Sequence, residues 1–433
     1  TEQIEALTTQ QVASLSSFAF RYLNTEQFAA FQTEDLQKIS TTALASIRTD
    51  LLNALGTEQF SALTSTQVRA LTSVQVRNLE TEDLGALGTE QLAAMLTSQT
   101  RALTTEQLVS LNTESFNAFT STQFGAFTST QIKAFSTEQI ANIESSDLRA
   151  LGTSGFRALN SEQVGALNTD SVIALTSQQM AALTTTQSVG LTTEQMAAVA
   201  TDDLRAITTT TLRGLTTEQL GALDTAQMGA LLTTQVRALT TEQINTLTTE
   251  DFTGLTSLQF AALSTVQVVA FSTEQVSVIE TDDLRALGTA GFRALSSEQI
   301  SALSTEGIVA ISTQQAGVLS SQQATGLRTD QVAALATDDL RAITTATIRS
   351  LNTEQVSGLD SAQVGSLTTT QIRTLSTEQL STLATDELNA FSTQQFAVLN
   401  TLQIRGLTTE QIANLESSDV PALGTTGIRA FSS

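Results

Sequence analysis

Leu239-Thr240-Thr241-Glu242-Gln243-Ile244-Asn245-Thr246-Leu247 holds the pattern that decides the fold. Ile244 and Leu247 stand three apart, and Leu247 repeats Leu239 after eight residues. Followed outward in both directions, this anchor recurs at every eighth position from Leu7 to Phe431, 54 sites in all, each Leu, Ile, Val, Phe or Met. No insertion or deletion interrupts it, so self-similarity at a fixed short period is the first fact about the chain.

Two further columns run beside the anchor. A Ser or Thr falls two residues after it, from Thr1 to Ser433, at 55 sites without exception. A second apolar site lies three residues before it, as in Ile4, Val12, Phe20 and Phe28, and gives way to a polar residue only at Thr100 and Ser188; Ala316 and Ala324 are small members. Seventeen of the 18 Phe residues occupy one of the two apolar columns, Phe18 being the exception. A slower period overlies the octad. The run Ile143 to Phe156 returns at Ile279 to Phe292 and again at Leu415 to Ile428, where Pro421 replaces Arg, and Thr201 to Ile207 returns at Thr337 to Ile343. The spacing is 136 residues, or 17 octads, which marks duplication of a block.

Apolar sites three apart, with a small residue before the anchor, suit one face of a short helix better than strand alternation. Most octads open on Thr, Ser, Asn, Asp or Gly and Gln commonly follows three positions later, the pattern of a capping box. Acidic residues such as Glu26, Glu58 and Asp202 fall in the first turn and Arg69, Arg101, Arg149, Arg205 and Arg285 near the helix end, matching the helix dipole. A continuous helix is not expected, because a period of eight drifts against 3.6 residues per turn. Helices this short are unstable alone and need neighbours to bury both apolar columns. The sequence therefore predicts an all-α solenoid over residues 1–433, one short helix per octad, with two or three octads per coil. A β-solenoid with two octads per coil is the alternative; it is encouraged by Thr, Ile and Val but opposed by Glu, Gln, Ala, Leu and Arg.

Composition narrows function. The formal charge of −23 disfavours nucleic acid and anionic lipid as partners. No run approaches the length of a membrane span, so insertion is not expected. Without Cys or His there is no thiolate, imidazole base or Cys/His metal cage, and the carboxylates and hydroxyls follow the repeat lattice, so no enzyme is expected. No cofactor is expected, calcium being the one possibility to weigh: the densest acidic pairs, Asp202-Asp203, Asp282-Asp283 and Asp338-Asp339, are weak candidates for it. Against calcium stand the absence of an EF-hand loop and the dipole role that the same residues fill. The Ser/Thr column has three readings, an ice-binding ladder, a glycosylated surface, or hydroxyls capping the backbone at every bend, and capping is favoured. Gly155, Gly291 and Gly427 replace Gln or Asp once per block, each followed by an apolar residue and Arg157, Arg293 or Arg429; a tight contact inherited by duplication and a lateral contact between rods are the two explanations, with Gly307 an isolated further case.

The runs Leu239 to Leu247 and Leu407-Thr-Thr-Glu-Gln-Ile-Ala-Asn-Leu415 resemble the L-T-T-E-Q-Φ-x-A-L repeat tracts of very large secreted or surface proteins of Gram-negative bacteria, over essentially the whole chain. That resemblance implies export and a role as stalk, adhesin or matrix fibre. The chain begins and ends inside repeats, without polar caps, and head-to-tail docking of open layers propagates a filament. A self-associating extracellular filament is the first expectation. The stalk of a giant adhesin is the second, and an ice- or calcium-binding solenoid the third.

Overall fold

A computed structural model describes residues 1–431, the side chain of Thr426 excepted. Among these residues there are 53 short α-helices, from Glu2–Glu5 to Gly424–Ala430, one 3-10 turn at Val420–Leu423, and no strand. The helical expectation holds and the β-solenoid alternative falls. The reason is local: each octad closes its own hydrogen bonds before the next begins. In the helix Ser65–Ala70 the Val68 amide donates to Thr64 O at 3.0 Å and the Leu71 amide to Val68 O at 3.2 Å. Leu71 (φ −58°, ψ 139°) and the next cap, Thr72 (φ −75°, ψ 155°), are then extended and turn the chain into the following helix.

The chain forms two compact units, Thr1–Ala222 and Leu223–Ser433, built alike. Within each, a helix packs chiefly on the helix three octads away: Ser65–Ala70 on Thr89–Ala94 in the first, Ser321–Gly326 on Thr345–Ser350 in the second. Three octads therefore complete one turn of the solenoid, which resolves the choice between two and three. Both apolar columns point inward, as in Val68 and Leu71, at 0% and 3% exposure. Phenylalanines fill the same slots edge to face; Phe116 and Phe124 have centroids 5.2 Å apart. The two polar intruders are fully buried but satisfied, Thr100 Oγ1 donating to Leu96 O at 3.2 Å and Ser188 Oγ to Thr185 O at 3.0 Å.

The small residue before the anchor has a steric cause. A Cβ on Gly406 would lie 2.7 Å from Thr377 Cβ, and one on Gly254 would lie 2.9 Å from Thr225 Cα, so this position abuts the first helical residue of the preceding turn. One link per block differs. Leu151 and Leu287 stay helical (φ −56°, ψ −24° and φ −56°, ψ −21°), and the following Gly152 and Gly288 take φ +61°; Gly424 takes φ +63°. That conformation suits glycine alone among common residues. The turned anchor presses its own Cβ inward, so a Cβ on Gly155 would sit 2.9 Å from Leu151 Cβ, and one on Gly291 3.0 Å from Leu287 Cβ. The tight contact thus accounts for Gly155, Gly291 and Gly427, while Arg157, Arg293 and Arg429 are exposed.

Candidate functional site

Among the described residues no cleft gathers chemistry; the polar groups form a lattice that repeats with the octad. Its first component is the cap. Thr104 Oγ1 accepts from Gln107 N at 3.1 Å, and Gln107 Oε1 accepts from Thr104 N at 2.8 Å, the reciprocal bonds of a capping box. This corrects one expectation. The capping hydroxyl belongs to the variable column before the uninterrupted Ser/Thr column, which holds the first helical residue instead and is exposed or half-buried throughout the described residues. A first helical residue has its side chain splayed outward and cannot reach back to the orphan amides, whereas the extended cap can.

The second component went unread in the sequence. Gln at the third helical position is buried, and its amide does two jobs. Gln163 Oε1 holds its own cap amide, Asn160 N, at 2.8 Å, while Nε2 donates to Ile132 O at 2.9 Å and Phe135 O at 2.8 Å on the preceding turn. Gln331 does the same with Ile300 O at 2.9 Å and Leu303 O at 2.7 Å. Periodicity showed the Gln only as a capping partner; the long-range half of its role needs the three-octad turn. A short donor reaches too, since Thr211 Oγ1 and Thr347 Oγ1 donate to Leu183 O and Leu319 O, both at 2.8 Å. The third component is the outward position after the second apolar site: Asn53 Nδ2 donates to Asn78 O at 2.7 Å and Arg149 Nε to Ala174 O at 2.5 Å, one turn further on. Arg near the helix end therefore meets a neighbouring turn as well as its own dipole.

The acidic candidates divide. Asp203, Asp283 and Asp339 take the Gln position and are buried, while Asp202, Asp282 and Asp338 face solvent. Ser177 and Ser257 donate to Asp203 Oδ1 and Asp283 Oδ1, each at 2.6 Å, and Ser121 donates to Asp147 Oδ1 at 2.6 Å. Asp282 instead meets Arg285 Nη1 at 3.6 Å. Among the described residues no three carboxylates converge as a cation site requires. Burial pushes the carboxyl of Asp283 up against the Ser257 hydroxyl, which lowers it, and that of Asp339 up against the Thr313 hydroxyl. Asp83 is pushed up to about 6, first by burial and then by Glu80 and Glu82. At the exposed second helical position the trend reverses: backbone amides, then the cap hydroxyls, hold Glu194 and Glu218 below the usual range.

The surface between turns offers open polar grooves, one of about 600 Å³ and lined by Gln37, Ser61, Thr64, Gly88, Glu90 and Gln91. Hydroxyls, amides and carboxylates are what it presents, and the Ser–Asp pairs have no imidazole beside them. No helix among the described residues is long and apolar enough to cross a membrane. No curated protein matches the chain in sequence. The ALTTAQ repeat model matches residues 28–65, 47–81, 76–113, 140–177, 196–233, 276–313, 332–369 and 382–417. The string can be followed in Ala102-Leu103-Thr104-Thr105-Glu106-Gln107: close-packing residue, anchor, cap, first helical residue, exposed acid and buried Gln. With more than half of its length matched, the chain belongs to the ALTTAQ repeat family.

Proposed function

We propose that this chain is a structural element, not an enzyme, that associates end to end into a filament or matrix fibre at the cell surface or outside the cell. The observation that carries the reading is the polarity of the stacking lattice. The buried Gln amides donate toward the preceding turn, to backbone carbonyls that face the following one, as Gln163 and the Ile132 and Phe135 carbonyls do, and they outnumber the bonds of the Asn53 and Arg149 kind that run the other way. The terminal turn of any such stack has one face rich in donors and another rich in acceptors, each beside apolar side chains, so two stacks are complementary head to tail. Heterologous contacts of that kind propagate. The extracellular setting rests on the resemblance to octad tracts of giant exported proteins. A stalk within such a protein is the second reading, favoured by the same resemblance. Electron microscopy of the purified chain, with and without a calcium chelator, separates them: filaments that persist in chelator support self-association, and isolated particles at every concentration overturn it in favour of the stalk.

A further inference from the structure

Buried aspartates stand where other octads place the Gln that ties two turns together, at Asp35, Asp83, Asp147, Asp203, Asp251, Asp283, Asp339 and Asp419. Four of them, Asp83, Asp147, Asp283 and Asp339, are each the third residue of a helix and have a carboxyl raised by burial. An ionised carboxylate accepts but cannot donate. The carbonyls that a donor at these four positions would reach, 28 residues back, are those of Leu55, Phe119, Leu255 and Ile311; Thr211 and Thr347 show that a side chain as short as Thr spans that distance, at 2.8 Å. Asp147, Asp283 and Asp339 lie beside the target, because the hydroxyls meeting them belong to Ser121, Ser257 and Thr313, two residues beyond Phe119, Leu255 and Ile311. The octads of all four also lack a capping box.

We propose that these aspartates are proton-operated clamps: protonated, each donates its O–H to the carbonyl 28 residues earlier and ties the two turns as Gln does elsewhere; ionised, it releases that tie. The charged surroundings set the direction. Asp83 has Glu80 and Glu82 on its own octad, and Glu58 and Glu106 on the helices packed against it, Thr57–Ala62 and Thr105–Ser110, with Arg77 on the preceding octad. Asp147 has Glu144 and Arg149, then Asp170 on the helix Thr169–Ile173 and Arg157 after Gly152–Phe156. Asp283 has Glu280, Asp282 and Arg285, then Glu306 on Thr305–Ala310 and Arg293 on Gly288–Ala294. Asp339 has Asp338 and Arg341, with Asp360 capping Ser361–Ser366. Carboxylates outnumber cations around the first and equal or exceed them around the rest, and burial adds to the same sense, raising all four.

A carboxyl raised in the folded state contributes stability that is complete below its unfolded value and lost as pH climbs through the folded one. For Asp83 that window runs from the ordinary 3.8 to about 6. The test is the melting temperature of the whole chain between pH 4.5 and 7.5, in the native sequence and in two quadruple variants at positions 83, 147, 283 and 339, one Asp→Thr and one Asp→Val. Thr supplies a neutral donor, and Val the same shape without one. The native chain is expected to melt higher at the acid end, and the Thr variant to melt at or above the native acid value with a flattened pH profile, leaving the Val variant below it. Equal melting of the Thr and Val variants would reduce the effect to charge removal and overturn the clamp. So would a native profile that is flat or falls on acidification. A Thr variant that fails to fold where the Val variant folds also refutes it.

Discussion

Replacing Gln163 by Leu tests whether the buried amide ties neighbouring turns. The substitution keeps most of the side-chain volume and removes three bonds at once: those to Ile132 O and Phe135 O at 2.9 and 2.8 Å, and the one received from Asn160 N at 2.8 Å. Gln163 is 1% exposed, so water does not replace them. At about 1 kcal/mol per neutral bond the loss is about 3 kcal/mol, toward 5 if the orphaned groups carry a full desolvation penalty. If the unit Thr1–Ala222 melts cooperatively, an unfolding entropy of about 2 cal/mol/K per residue turns 3 kcal/mol into a drop of ~6 °C. Differential scanning calorimetry reads that shift, and Gln178→Leu at an exposed position is the control. Gln163→Thr keeps a short donor of the kind Thr211 uses and is expected to lose less than the Leu variant. A Gln163→Leu shift no larger than that of Gln178→Leu would refute the clamp role, and with it the basis for complementary stack ends.

The cap and the first helical residue should separate cleanly: Thr104→Ala costs about 1 kcal/mol because it empties a capping box, whereas Thr105→Ala stays within about 0.5 kcal/mol, both read by urea melts. Gly155→Ala is expected to cost about 1–3 kcal/mol by overpacking, since its Cβ would lie 2.9 Å from Leu151 Cβ and 3.1 Å from Ile132 Cδ1. Gly152→Ala costs about 1–2 kcal/mol through backbone strain alone, for nothing lies within 4 Å of the added Cβ. Arg149→Lys, which keeps charge but loses the guanidinium Nε bond to Ala174 O, should lower the melting temperature less than Arg149→Ala, while equal losses would assign the whole effect to that bond and none to charge.

The helices and their boundaries were legible because each octad carries a complete local message: cap, acidic first turn, two apolar sites, small residue. Three octads per turn were not legible, because nothing inside eight residues encodes which neighbour a face will meet. The cap column was misassigned for a related reason. Its uninterrupted neighbour is more regular, but that column packs against the residue before the anchor of another turn, as Thr377 meets Gly406, and where its hydroxyl bonds, as Ser177 does to Asp203 on another turn, the partner is not an orphan amide of its own helix. The Gln column looked like a capping partner because one of its two roles is local. Nothing within the acidic pairs themselves signals that Asp203 and Asp283 are inside while Asp202 and Asp282 are outside; that division follows from the helical phase, since the third position falls on the inner side and the second does not.

Seventeen octads are not a whole number of three-octad turns. Within Thr1–Ala222, Glu34, Glu58, Glu82 and Glu106 follow one another at one-turn intervals and so share an edge; their counterparts 136 residues on, Asp170, Glu194 and Glu218, form the same row after five and two-thirds turns, on a different edge. Copying the block thus rotates its decoration by a third of a circle instead of extending a stripe. A chain that lengthens in such steps wears its markings like the thread of a screw, and a partner that reads one acidic row can approach from more than one compass bearing and still find it.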